Sequence, residues 1–86
     1  MRQLSEWNPW RENFRKQLIT RYKNDFRNGL LTLVMVKQMV SRLEAALERA
    51  KRTKKRVVVE GQEDFGTLGV MEIEDQLFAL RATVKE

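Results

Sequence analysis

The eight residues Arg49-Ala-Lys-Arg-Thr-Lys-Lys-Arg56 hold six cations, the densest concentration of a single chemistry in this chain. Cations packed so closely raise a positive potential that can neutralise phosphates and release their counterions. Arg49, Lys51, Arg52, Lys54, Lys55 and Arg56 are therefore candidate nucleic-acid contacts, and Lys16, Lys23 and Arg27 would extend that surface on a second basic face. The competing reading is structural: a helix C-terminus favours cations through its dipole, and charge runs are commonly just solvated.

Trp7 and Trp10 stand beside Arg2, Arg11 and Arg15, and indoles near guanidiniums are the materials of base stacking on a single strand. A Trp just before a helix N-cap also packs onto the first helical turn, and Trp is favoured as an interface anchor. Core or protein interface is the preferred reading of both.

Other chemistries lack their tools. The chain has neither Cys nor His, which removes disulfides, thiolate nucleophiles, nearly all zinc sites and the usual proton shuttle near neutral pH. The acidic stretch Glu60 to Asp64 does not alternate its carboxylates as a calcium loop does. Glu44 and Glu48 lie one helical turn apart next to Arg and Lys, the pattern of a solvated flank rather than of an acid–base pair. No phosphate-binding Gly loop or nucleophile elbow is present, so the expectation is a non-enzymatic protein with no cofactor and no metal.

These residues must be positioned by helices. Asn8 followed by Pro9 signals a helix start, because Asn caps well and Pro costs nothing at the first helical position. Trp10, Phe14, Leu18, Tyr22 and Phe26 then recur every fourth residue, a stripe that predicts a buried face on a helix from Pro9 to Asn28. Asn28-Gly29 is a plausible stop, since Gly readily takes the left-handed conformation that ends helices; a helix running on through Gly29 is the alternative. A second helix is predicted from Leu30 to Lys54, with Leu33, Val36, Val40, Leu43, Leu47 and Ala50 in heptad steps. Leu30, Leu31 and Val34 lie outside that stripe and, with Trp7 and Trp10, are the candidate protein interface.

After the charge run, the β-branched Val57, Val58 and Val59 favour a short strand, and residues 57–69 read as a Gly-rich acidic loop. Val70, Ile73, Leu77, Leu80 and Val84 predict a C-terminal helix, with acids near its start and bases near its end, as the macrodipole prefers. A hairpin pairing residues 56–60 with 67–73 competes with that helix.

Length and charge bound the rest. Eighty-six residues fit one domain with a modest core, so that a second copy would add useful buried area. Residues 1–56 carry 15 Lys and Arg against five acids, a net of +10, whereas residues 57–86 carry two against seven, a net of −5. A basic helical body thus precedes an acidic tail. Glu6, Asn8, Arg11 and Glu12 interrupt the start of the chain, which argues against a signal peptide, and the apolar run from Leu30 to Val36 is far short of the roughly 20 residues that span a bilayer.

The sequence therefore predicts an all-α or mostly α small helical bundle, with a long helical hairpin, a short strand or hairpin after residue 55 and a C-terminal helix. It is expected to be a soluble, cytoplasmic interaction or assembly protein that self-associates and binds protein, without membrane contact. A small DNA- or RNA-binding protein is the alternative.

Overall fold

The computed structural model describes residues 9–85. Three helices carry most of it: α1 (Pro9–Arg27), α2 (Leu33–Thr53) and α3 (Val70–Lys85). Between α2 and α3 lie two short strands, β1 (Val57–Val58) and β2 (Thr67–Leu68), and a 3₁₀ turn at Glu63–Phe65. The mostly helical expectation holds, and the two competing readings of the C-terminal third are each right in part. β1 pairs antiparallel with β2, Val57 opposite Leu68 and Val58 opposite Thr67, while the helix begins directly afterwards at Val70.

Asn8, the expected cap of α1, lies outside the described residues. The other end of α1 stops where Gly29 allows it to. Gly29 takes φ +79°, its N–H bonds the Phe26 carbonyl at 3.3 Å, and the Leu30 N–H reaches the Asp25 carbonyl at 2.8 Å. Those two bonds form a Schellman motif, so α1 and α2 are separate helices. Leu30 and Leu31 are used in the turn, and Thr32 caps α2 by accepting a hydrogen bond from the Met35 N–H at 3.2 Å. The second helix consequently starts three residues later than the apolar run implies. It ends at Lys54, a left-handed residue with φ 58° whose N–H bonds the Ala50 carbonyl.

Ion pairs fix the direction of the helices. Lys51 meets Glu74 and Arg81 meets Glu44, so α3 runs antiparallel to α2. Arg11 meets Glu74 and Asp75, and Arg15 meets Asp75 and Phe78, so α3 runs parallel to α1. The two long helices form an up–down hairpin, but each makes its main packing contact with α3 rather than with the other. α3 is the shared element, and it is buried on two sides: Ile73, Leu77 and Leu80 belong to the apolar core, and Asp75, Gln76, Ala79 and Thr83 are buried as well.

The fully buried centre is Leu43, Ile73, Leu80, Val36 and Val59. Val59 and Leu68 join it from the hairpin, while the neighbouring Val58 is exposed, as the alternation of a strand demands. The expected stripe of α2 is buried in its middle but not at its head, where Leu33 is exposed. α2 is 21 residues and α3 only 16, and with Arg81 beside Glu44 and Lys51 beside Glu74 the end of α3 falls opposite the middle of α2, so the first turn of α2 projects past it with Leu33 exposed and Val36 still buried. Val84, on the last turn of α3, is exposed as well.

The aromatic stripe of α1 departs from expectation. No residue of α1 is buried; Phe14, Leu18 and Tyr22 are half-buried, and Trp10 and Phe26 are exposed. A helix packed along one neighbour alone covers only a narrow strip of itself, so the drifting fourfold stripe leaves the contact at both ends.

Candidate interaction surfaces

The first surface is the corner where α1 turns into α2. Leu30 is 68% exposed, Val34 65% and Leu33 48%, with Met35 and Phe26 also exposed. Leu31, counted with Leu30 and Val34 from the sequence, is not part of this surface: it is buried in the core, because the turn directs alternate residues to opposite sides. Periodicity places Leu33 and Phe26 on buried faces and gives no signal for Met35, because nothing local to the sequence tells where the neighbouring helix ends.

Trp7 lies outside the described residues. Trp10 is exposed at the opposite end of α1 and stacks on Phe14, with ring centroids 6.0 Å apart and an interplanar angle of 12°. It is therefore not joined to the Leu30 and Val34 surface, from which the length of α1 separates it.

The structure divides the basic run. Arg49 donates to the Val58 carbonyl at 2.9 Å, and Arg56 donates to the Thr67 carbonyl at 2.8 Å and to the Glu72 carboxylate at 2.9 Å. These two guanidiniums fasten the hairpin to the ends of α2 and α3. Lys51 stands 4.0 Å from Glu74. Arg52, Lys54 and Lys55 are exposed. Because Lys54 turns the chain left-handed, the side chains of the run do not form one continuous helical stripe.

Lys51, Lys54, Lys55 and Arg56 instead line an open groove of about 400 Å³ together with Ala50, Gly69 and Val70. Glu72 accepts the Gly69 N–H at 2.8 Å while it receives Arg56, a capping arrangement at the start of α3. The basic residues of α1 are arranged separately. Lys16 lies 3.9 Å from Glu12 on the exposed side of α1, Lys23 is half-buried, and Arg27 is exposed at the corner, the opposite end of α2 from the groove. The basic run and the cations of α1 thus stand on separate parts of the fold.

A third cluster lies between α1 and α3. The Asp75 side chain, 4% exposed, receives Arg11 Nε at 2.8 Å and Arg15 Nε at 2.5 Å, and the Arg15 guanidinium lies 4.5 Å above the Phe78 ring. Two cations on one carboxylate, one of them also stacked, make this the polar clasp between α1 and α3. Its sequence signal is faint, since Arg11 and Arg15 share a face but Asp75 sits among other acids.

The acidic loop is committed to its own turn. The Glu63 carboxylate accepts the Gly61 N–H at 3.1 Å, and hydrogen bonds from its own backbone N–H and from Gly61 hold its pKa below the ordinary glutamate value. Among the described residues, no group of three or more carboxylates is gathered as a metal would need, and no helix is long and apolar enough to cross a membrane. Compared with known proteins, the chain matches no family model, no curated protein and no solved structure.

Proposed function

We infer that the protein is a small, non-enzymatic assembly module that self-associates through the corner between α1 and α2. The observation that carries this reading is the exposure of Leu30, Leu33 and Val34 together on the part of α2 that projects past α3. α1, α2 and α3 already have their partners within the chain, so none of them is left to cover that face. Contiguous apolar exposure of this kind is characteristic of protein contact sites.

A second copy suits the corner because the exposed side chains Leu30, Leu33 and Val34 are apolar, and a two-fold axis through them would set the same leucines and valines against each other. Complete burial of a Leu or Val side chain is worth about 1.5–3 kcal/mol, so a few such residues supply much of a micromolar association. Assembly would then add the buried area that a chain of this length lacks.

Sedimentation velocity over a wide concentration range tests the reading. The intact chain should shift from monomer to a defined oligomer, and Leu30→Ser with Val34→Ser should weaken that association by roughly a hundredfold or more while leaving the helical circular dichroism unchanged. A chain that stays monomeric at the highest concentrations, or a double variant that associates as tightly as the parent, would overturn it.

A further inference from the structure

The geometry points to a phosphate-binding site in the groove between the end of α2 and the start of α3, separate from the corner and independent of self-association. Four cationic residues, Lys51, Lys54, Lys55 and Arg56, line one concave surface of about 400 Å³. Phosphate groups suit such a lining because ammonium and guanidinium donors meet several oxygens of one anion at once.

The cations have different duties. Arg56 is held rigid by Thr67 and Glu72, and Gly69 gives it room: a Cβ at that position would stand 3.3 Å from Arg56 Nη1. Lys51 faces Glu74 at 4.0 Å, a separation at which exposed charges attract only weakly. Lys54 and Lys55 are exposed on the rim. With Nε and Nη2 held by Thr67 and Glu72, Arg56 offers Nη1 to an anion, and the exposed ammonium groups of Lys54 and Lys55 supply the further donors. Glu72 and Glu74 offset two of the four cationic charges, and the net of 4 − 2 = +2 that remains is balanced better by a multiply charged group than by chloride. The nearby start of the α3 dipole acts in the same direction.

The shared ligand chemistry is a phosphate carrying more than one negative charge in reach, from either a free polyphosphate or a nucleic-acid backbone. Both sources are tested on the whole chain by ¹H–¹⁵N correlation spectra, titrated in one arm with sodium pyrophosphate and in the other with a single-stranded DNA oligonucleotide. The inference expects saturable shifts concentrated in the amides of Lys51, Lys54, Lys55, Arg56, Gly69 and Val70. Saturation by pyrophosphate assigns the site to free polyphosphate; saturation by the oligonucleotide alone assigns it to the backbone.

Lys54→Gly with Lys55→Ala removes the rim charges, and Gly suits the left-handed backbone at residue 54, so the fold is retained. This pair should weaken binding about tenfold and, for the oligonucleotide, reduce the slope of log affinity against log salt by about 1.4, at roughly 0.7 for each lost contact. Lys16→Ala with Lys37→Ala removes the same charge elsewhere and should change affinity by no more than about twofold. Absence of saturable groove shifts with both probes, or equal weakening by the two double variants, overturns the site in favour of diffuse charge attraction.

Discussion

Arg15 donates from Nε to a carboxylate oxygen of Asp75 at 2.5 Å, across 60 positions of sequence, and the same guanidinium lies over Phe78 one turn further along α3. Together with the 2.8 Å bond from Arg11, it ties a helix with no buried residue to the most shielded carboxylate in the fold. α1 is thus held by a polar clasp and by half-buried side chains such as Tyr22, which packs against the core.

The clasp predicts an asymmetric response to substitution. Asp75→Ala leaves two cations facing each other without their acceptor, and should cost about 2–3 kcal/mol. That is below the usual range for a buried pair because Arg11 and Arg15 keep 20% and 29% of their side-chain exposure. Urea denaturation should show the loss, and hydrogen exchange should accelerate in α1 more than in α2. Equal acceleration in both helices would contradict a clasp specific to α1.

Tyr22 supplies a pH-dependent prediction. Burial raises its phenol pKa above the ordinary value of 10.0, an effect that outweighs Arg21 nearby. The folded state therefore keeps the proton more tightly than the unfolded state does, and this contribution is fully present below pH 10.0 and lost as the pH rises through the folded-state value. As the chain has one Tyr, absorbance titration of phenolate should place the folded midpoint above that of the urea-unfolded chain. Tyr22→Phe should lose less stability than the parent over the same alkaline range.

Leu43 and Leu33 belong to the same heptad stripe but should behave differently. Leu43 is fully buried against α3, so Leu43→Ala should cost about 2–5 kcal/mol, transfer and cavity terms together. Leu33 is half exposed on the projecting turn, so Leu33→Ala measured on the monomer at low concentration should cost less than about 1 kcal/mol. Chemical denaturation of both variants distinguishes them; similar losses would place Leu33 in the core.

Local signals located the helices because they act over one or two turns. Gly29 could take the left-handed turn that closes α1, the heptad of Val36, Val40 and Leu43 marked the inner face of α2, and the valines after residue 56 marked a strand. Charge polarity and periodicity also identified the last helix, while the competing hairpin of residues 56–60 with 67–73 forms only over Val57–Val58 and Thr67–Leu68.

Tertiary structure decided what those faces meet. Which side of α1 is covered depends on its packing along α3, and burial of Asp75 depends on two arginines brought from far away in the chain. The end of α3 leaves Leu33 exposed although it shares the stripe of the buried Val36, Val34 stays on the outer side of α2, and the turn determines that Leu31 goes inward while Leu30 stays outside. The basic run, uniform in sequence, becomes two structural anchors and a cation-lined groove because the backbone reverses at Lys54. The sequence by itself determined where the helices form, since propensity, capping and periodicity are local; only the tertiary structure decided which side chains are free to bind, since exposure is set by neighbours remote in the chain.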